Sequence, residues 1–395
     1  MITFINSPIQ SDTLHRFQFN IILFLLLSVF FTSPARAIYD PVSVPNNKFG
    51  IHILDTSEVD KATELVNSSG GQWGYVTIPI RANDRDLPKW TKFMADCRDK
   101  KIIPILRIAS FPVDDHWMAP NEYDLVDFAN FLDELPWPTR NRYVIVYNEP
   151  NHEGEWGGFV YPSEYARVLD RAADIFHKRN SDFFVISGGM DASAPNGAKS
   201  MTAYDYYGAM ISAWPEVFKN VDGLSFHAYG NPGFGTYPNV YSPVNVASYR
   251  FELSYLRGLG GLGDVEKPIF ITEAGWKNGG WLKKSFEEIW TEDKIVAVTP
   301  FLLDARTDPF APFSFTDGNG LKPFAKEFQA MQKVEGKPQM ATKDDRSNES
   351  NRGYEGQRTG GKIYPQWNGN LPRILNSGLI ESWIAKFLAM LARPG

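Results

Sequence analysis

Short apolar runs alternate with segments of helical periodicity through most of the chain. Runs that are apolar on both faces are typical of buried strands in a parallel sheet, and their alternation with helices is typical of βαβ units. The pattern predicts eight strands, most of them rich in β-branched and aromatic residues. They are Phe49–Leu54, Trp73–Ile80, Ile102–Ile108, Tyr143–Glu149, Phe183–Gly188, Gly223–Tyr229, Pro268–Glu273 and Ile295–Leu302.

Each predicted strand is followed by a predicted helix. An open doubly wound sheet would often carry a glycine-rich turn after its first strand, whereas here Ile51–Leu54 leads into Asp55-Thr56-Ser57. We therefore predict an α/β fold, a closed (β/α)8 TIM barrel over residues 48–335. The predicted helices are Ser57–Val66, Leu87–Arg98, Tyr123–Leu135, Ser163–Lys178, Thr202–Phe218, Val246–Leu256, Lys283–Trp290 and Pro323–Val334.

The amino-terminal segment has the pattern of a targeting sequence. Arg16 precedes the apolar run Ile21–Phe31, which is too short to span a bilayer comfortably, and Ala35-Arg36-Ala37 has the small-x-small form of a cleavage site. We predict a signal peptide over residues 1–37, a mature start at Ile38, and a secreted or envelope-associated protein. An uncleaved signal anchor is the alternative, because Arg16 is the single clear cation of a long amino-terminal region.

The composition changes after the last predicted helix. Residues 337–362 are rich in Asn, Ser, Gly and charged residues and nearly free of apolar ones, so we predict a disordered linker over 336–370. Apolar residues from Ile380 to Leu391 then fall at helical spacing, which predicts an amphipathic helical tail over 371–395. This tail packs on the barrel or on a partner, or it tethers the protein to a membrane or surface.

Charge and cysteine content narrow the choice of partners. The 395 residues carry a formal net charge of −6 with a pI near 5.6, which disfavours nucleic acid as the main partner. Cys97 is the only cysteine, so no intramolecular disulfide forms, and we predict a buried thiol and a monomeric protein. The chain has no HxH or HExxH arrangement, which argues against a catalytic metal, and no cofactor is expected.

Candidate site residues lie where the predicted strands end. In a (β/α)8 barrel the active site is built at the carboxyl ends of the strands, so polar side chains at these ends are expected to converge. Glu149 ends the fourth strand and Glu273 the seventh, and these two strands lie nearly opposite each other in an eight-stranded ring. The further candidates at strand ends are His52, Arg81, Arg107, Asn148, His227, Tyr229 and Trp276.

Two glutamates across a barrel mouth are suited to the cleavage of an acetal between sugars. The leaving oxygen needs a proton and the oxocarbenium-like centre needs a carboxylate, and retaining enzymes place the two carboxyl groups about 5–5.5 Å apart. Glu149, beside Tyr147 and Pro150, is expected to have a raised pKa, whereas Glu273 needs hydrogen-bond donors that keep it ionised.

Three motifs resemble clan A of the retaining glycoside hydrolases: YNEPN at Tyr147–Asn151, FHAYG at Phe226–Gly230 and ITEAGW at Ile271–Trp276. The resemblance implies that Glu149 is the general acid/base and Glu273 the nucleophile. It also implies that Asn148 binds the hydroxyl next to the reacting carbon, and that His227 or Tyr229 holds Glu273. Clan members often place an arginine near the nucleophile, and either Arg81 or Arg107 is a candidate for it.

Aromatic residues in the loops are candidates for contact with sugar faces. Trp117, Trp156, Trp276 and Trp281 follow the third, fourth and seventh strands, and each is either a platform or a loop-packing residue. His52 is either a barrel residue or a sugar contact. Many clan members carry a tryptophan on the eighth strand, where this chain has only Phe301.

Two functions are therefore considered. The first is an exported retaining β-glycoside hydrolase acting on a polysaccharide or oligosaccharide, with Glu149 and Glu273 as its catalytic pair. The alternative is a non-catalytic carbohydrate-binding barrel of the cell envelope, which the missing strand-eight tryptophan and the long tail favour.

Overall fold

Eight parallel strands form the centre of the structure, a computed structural model that describes residues 38–113, 115–263 and 266–342. The predicted strands are all present, with bounds that differ by a few residues. They are β1 (Gly50–His52), β2 (Gly74–Arg81), β3 (Ile102–Ala109), β4 (Arg142–Val146), β5 (Phe183–Ser187), β6 (Leu224–Tyr229), β7 (Ile269–Gly275) and β8 (Ile295–Val298).

The strands follow one another around a ring in chain order. Strands β1 to β5 form one parallel ladder and β6 to β8 form a second. Parallel bridges between Ile186 and Gly223 and between Phe49 and Val298 join the two ladders. At the second junction the Val298 amide donates to the Lys48 carbonyl over 2.8 Å. These bridges complete the (β/α)8 barrel that the sequence predicts.

Helices surround the barrel, and most of their bounds differ from the predicted ones by a few residues. The first helix is preceded by a 3₁₀ turn, Thr56–Glu58, whose capping box uses Asp55 and Glu58. The predicted helix Thr202–Phe218 is interrupted after Ala213, because Pro215 disfavours helical backbone at the residue before it. The helices are α1 (Val59–Val66), α2 (Leu87–Asp99), α3 (Glu122–Glu134), α4 (Pro162–Arg179), α5 (Ala203–Ala213), α6 (Val217–Asn220), α7 (Ser248–Gly258), α8 (Leu282–Glu288) and α9 (Pro323–Ala330). None of the helices in the described ranges is both long and apolar enough to cross a membrane.

Side chains alternate between the barrel interior and the helical layer, as the period of a strand requires. On β2, Val76, Ile78 and Ile80 belong to the core shared with the helices, while Tyr75 belongs to a separate cluster inside the barrel. That inner cluster contains a layer of rings, with Tyr143 5.0 Å from Phe184 and 5.6 Å from Phe270 between ring centroids. Aromatic residues thus fill the lower interior, and the inward positions near the mouth carry polar groups.

Segments that precede and follow the predicted barrel in the sequence close its lower face, at the amino ends of the strands. The Asn141 side-chain amide donates to the Tyr39 carbonyl over 2.7 Å, and the Lys337 amide donates to the Pro45 carbonyl over 2.8 Å. Met340 forms an antiparallel bridge with Thr139. The predicted linker is therefore wrong for residues 336–342, which hydrogen-bond to the barrel. The rest of that linker, the tail over 371–395 and the signal segment over 1–37 lie outside the described residues.

Candidate active site

Glu149 reaches the barrel mouth on an irregular turn after β4. The strand ends at Val146, three residues earlier than predicted, and both Tyr147 (φ 64°) and Glu149 (φ 30°) have left-handed backbone conformations. Such conformations cost about 1–3 kcal/mol each in non-glycine residues and are held by their surroundings. Here the Glu149 amide donates to the Gly189 carbonyl over 3.0 Å, and the Glu149 carbonyl accepts from the His152 amide over 3.0 Å. These bonds fix the turn that carries the carboxyl group.

Glu273 lies on β7 and is held by two donors. Arg107 Nη1 donates to Oε1 over 2.6 Å, and the Tyr229 hydroxyl donates to Oε2 over 2.8 Å. The same arginine nitrogen donates to Asn148 Oδ1 over 2.5 Å. Between the two arginines left open by the sequence, the structure therefore brings Arg107 to Glu273, and Arg81 lies higher on the cleft wall.

His227 lies between the two glutamates. Its Nδ1 is 2.7 Å from Glu149 Oε1 and 3.8 Å from Glu273 Oε2. The structure thus separates the two partners that the resemblance allowed: Tyr229 bonds Glu273, and His227 bonds Glu149. Gly189 makes room for this ring, because a Cβ at that position would lie 2.6 Å from Nε2 of His227.

The two glutamates have opposite pKa shifts. Burial raises the pKa of Glu149, and nearby Asp191 and Glu273 raise it further against the hydrogen bond from His227. Burial would also raise the pKa of Glu273, but His227, Arg107 and His52 outweigh it and, with the Tyr229 hydroxyl, lower the pKa to about 2. One carboxyl group is therefore suited to carry a proton while its neighbour stays ionised.

His52, at the end of β1, is near these groups without bonding them. His52 is fully buried, and its Nε2 lies 3.9 Å from Glu273 Oε1. Burial first, then the charge of Arg107, lowers the pKa of His52 to about 3, so the ring is neutral. Its edge contacts the Phe301 ring, with 5.2 Å between centroids. Phe301 lines the cleft and gives it an aromatic surface after the eighth strand.

Trp276 corrects the sequence prediction. It was expected to contact substrate, but it is only 1% exposed and its indole N–H donates to the Thr236 carbonyl over 2.8 Å. The ring packs where a side chain at residue 230 would lie, so the glycine of FHAYG gives it space. Trp156 is equally buried, with its N–H 2.9 Å from Glu164 Oε2. Both tryptophans support loops and offer no face to a sugar.

The cleft above the glutamates has a volume of about 500 Å³, enough for a small ligand. Trp117 is on its wall, whereas Trp281 is 43% exposed outside it, against Tyr237. Further aromatic residues of the lining are Tyr147, Phe234, Phe310 and Phe313. The mixture of aromatic faces and polar groups is suited to sugar rings.

Two residues of the site, Asp191 and Glu155, were missed in the sequence. Asp191 follows β5 and binds His152 Nε2 through Oδ2 over 2.9 Å, while Oδ1 accepts from the Ser193 amide over 2.8 Å. Examining the end of the fifth strand as closely as the others would have found Asp191. Glu155 lines the cleft, and burial, together with the charge of Glu149, raises its pKa to about 8. The sequence feature that could have identified Glu155 is its position a few residues after the YNEPN motif.

The central residues also have the spacing of a possible cation site. One ligand atom each from Glu149, His227 and Glu273 lie within 4.8 Å of one another. However, Glu273 is already paired with the Arg107 guanidinium, and His227 with Glu149. A cation there would have to compete with a fixed positive charge, so the donor set fits an acid/base pair better than a resident metal.

Comparison with known proteins gives the fold. No protein-family model matches the chain, and no curated protein matches its sequence. Among solved structures it is similar to a GH39 β-xylosidase from Caulobacter crescentus, with a TM-score of 0.50 and 15% identity over 79% of this chain and 76% of that one. It is also similar to a triple mutant of an endo-β-1,4-glucanase from Xanthomonas axonopodis pv. citri, with a TM-score of 0.50 and 14% identity over 71% and 98%. Identities this low show a shared fold, which confirms the predicted architecture.

Proposed function

We propose that the chain is an exported retaining β-glycoside hydrolase that cleaves O-glycosidic bonds of a polysaccharide or oligosaccharide. The observation that carries the proposal is the pair Glu149 and Glu273, which present oxygens within 4.8 Å of each other and have opposite pKa shifts. Retaining enzymes hold their carboxyl groups about 5–5.5 Å apart, whereas inverting enzymes leave about 6.5–9.5 Å for a water molecule. The short separation favours the retaining reaction.

In the first step the Glu273 carboxylate attacks the anomeric carbon as Glu149 gives its proton to the leaving oxygen. The glycosidic C–O bond breaks, and a bond from the sugar to Glu273 forms. In the second step the Glu149 carboxylate takes a proton from water, whose oxygen attacks the same carbon and releases Glu273. Two displacements return the original anomeric configuration.

The neighbouring groups support each charge state in turn. Arg107 and Tyr229 stabilise the Glu273 carboxylate that begins the first step. Once Glu149 has lost its proton, an Nδ1–H of His227 at 2.7 Å can stabilise that carboxylate until water attacks. Arg107 also orients Asn148, which is available to a sugar hydroxyl beside the reacting carbon.

Hydrolysis assays test the proposal. The similar structures are described as a β-xylosidase and an endo-β-1,4-glucanase, so aryl β-xylosides, aryl β-glucosides and β-1,4-glucans are the first substrates to try. We expect turnover by the full chain, and proton NMR of the first product should show the β-anomer. An α-anomer would contradict retention. Binding without turnover on every substrate would favour the non-catalytic barrel instead.

The proposal that the protein is exported rests on the signal-peptide pattern of residues 1–37, with Ala35-Arg36-Ala37 as the cleavage motif. Mass spectrometry of the mature protein from the producing cell is expected to give an amino terminus at Ile38. A mature protein that retains Arg16 would contradict cleavage and favour the signal anchor.

Tyr229→Phe is expected to shift the acidic limb of the pH profile. Glu273 must be ionised to react, so kcat/KM falls as pH drops through its pKa, which is about 2 in the native site. Loss of the hydroxyl donor raises that pKa, so activity should decline at higher pH than in the native protein. A hydrogen bond to a charged group contributes about 1.5–3 kcal/mol, which predicts a loss of roughly 10- to 100-fold in kcat/KM.

The matched control is Tyr161→Phe, which removes a hydroxyl from an exposed tyrosine outside the cleft lining. Its profile should overlay that of the native protein. An unchanged acidic limb in Tyr229→Phe would mean that the hydroxyl does not stabilise the reacting carboxylate.

A further inference from the structure

Most charged side chains on the cleft wall already have a hydrogen-bond or ion-pair partner within the protein. Asp55 and Glu58 accept hydrogen bonds from backbone amides of their own turn. The other charged pairs are joined at hydrogen-bond distance: Lys89 to Asp84 at 2.7 Å, Arg306 to Asp304 at 2.8 Å, Arg107 to Glu273 at 2.6 Å, and His152 to Asp191 at 2.9 Å. Most carboxyl groups of the cleft are therefore already held by donors of the protein itself.

Among the cations of the cleft lining, Arg81 is the exception. Its carbonyl accepts from Arg85 Nη1 over 2.9 Å, but in the described part of the chain its guanidinium makes no hydrogen bond, ion pair or ring contact. The side chain is half-buried and lines the cleft. A guanidinium that is partly removed from water and has no partner is ready to bind an anion.

The register of the sheet fixes the height of Arg81 above the reacting groups. Arg107 pairs with Pro79 across β2 and β3, and Arg81 pairs with Ala109. Arg81 is thus two residues nearer the mouth than the level of Arg107, or about 6–7 Å along the strand. Successive side chains of a strand point to opposite faces, so the side chain of Arg81 points into the barrel, as do those of Tyr75 and Pro79. The small side chain of Ala109 opposite it leaves space for a ligand group.

We propose that Arg81 binds an anionic substituent of the sugar in the cleft, so that the substrate is an acidic glycan. This inference rests on the proposed function and names its substrate class. A uronic acid carboxylate is the expected form, because its two coplanar oxygens match the guanidinium fork in a bidentate pair. A sulfate ester offers related chemistry and is distinguished by experiment. The unpaired carboxyl of Glu155 does not oppose such a ligand at neutral pH, because its pKa is raised to about 8 by burial and by Glu149.

The kinetic test compares 4-nitrophenyl β-D-glucuronide with the corresponding β-D-glucoside, using the full chain. We expect the glucuronide to be cleaved with the higher kcat/KM. Arg81→Gln should lower the glucuronide-to-glucoside ratio of kcat/KM by roughly 10- to 100-fold, the effect of losing a charge-assisted bidentate pair. Arg171→Gln, which changes an exposed arginine on α4, is the matched control and should leave the ratio unchanged. A ratio that Arg81→Gln does not alter would overturn the inference.

A binding measurement separates this inference from the proposed function. Glucuronate, glucose 6-sulfate and glucose are titrated into the native chain and into Arg81→Gln, with detection by ligand NMR. Tighter binding of glucuronate that is lost in Arg81→Gln supports the inference even if no glycoside is hydrolysed. The same behaviour with glucose 6-sulfate would identify sulfate as the anion. Hydrolysis of neutral glycosides, together with equal binding of glucose and both anions, would overturn the inference and leave the hydrolase proposal standing.

Discussion

Replacing Glu273 by glutamine is expected to lower kcat/KM by about 10⁴-fold or more. Glutamine keeps the size of the side chain and can still accept from Arg107 and Tyr229, but its neutral amide cannot form the bond to the anomeric carbon. The loss should therefore appear on every substrate, including aryl glycosides with good leaving groups. Initial rates on the best aryl glycoside of the native protein provide the measurement.

Glu252→Gln is the matched control for this change. Glu252 is a fully buried glutamate on α7 that accepts from the Tyr207 hydroxyl over 2.9 Å, away from the cleft lining. Its replacement also removes a buried carboxyl group and should leave the rate near the native value. If Glu273→Gln kept more than a few per cent of native turnover, the nucleophile would have to be another group.

Glu149→Ala is expected to slow hydrolysis of substrates with poor leaving groups by about 10²–10⁴-fold, the usual contribution of general acid catalysis. Substrates with good leaving groups need no proton, so they should still transfer the sugar to Glu273. The second step then becomes slow, because no base activates water. Added azide needs no base and can occupy the space left by the carboxyl group, so it should restore turnover and give a β-glycosyl azide.

Glu153→Ala offers a control in the same loop. Glu153 begins the 3₁₀ turn after the YNEPN motif and is paired with Lys199 at 2.8 Å, outside the cleft lining. Its replacement should neither depend on leaving-group quality nor respond to azide. If azide left Glu149→Ala unchanged on an activated substrate, the acid/base assignment would be wrong.

The sequence was sufficient to predict the architecture and the proximity of Glu149 and Glu273. Each strand appears as a separate apolar run, and a barrel gathers all carboxyl ends of its strands at one face. Glu149 and Glu273 could therefore be related without coordinates, although they are far apart in the chain. The local backbone was harder to predict: Glu149 lies on a turn after β4, in which Tyr147 and Glu149 itself are left-handed, instead of ending the strand.

The sequence could not assign hydrogen-bond partners to side chains that point to the same face of the sheet. Arg81 and Arg107 both point inward near strand ends. Only the structure shows that Arg107, which pairs with Pro79, is the one that reaches Glu273. His227 and Tyr229 are two residues apart on β6 and therefore also point to the same face. Their different heights decide that one meets Glu149 and the other Glu273.

The role of loop tryptophans was equally hidden from sequence. Trp117 and Trp276 are the same residue type in loops of the same face, yet one lines the cleft and the other is buried. The difference comes from contacts between neighbouring loops: Trp276, which follows β7, donates to Thr236 in the loop after β6. The polar composition also led to a wrong prediction of where the fold ends. Residues 336–342 were predicted to belong to a linker, but backbone hydrogen bonds hold them to the barrel.

The segments that close the lower face have a practical consequence. Exposed Lys337 lies on the side of the barrel opposite the glutamates, near Pro45, whose carbonyl accepts from its amide. A solid support coupled through the Lys337 side chain would lie at the lower face of the barrel and leave the cleft accessible to solution. If the proposed hydrolysis holds, protein immobilised in this way should cleave a soluble substrate at the same rate as the free protein.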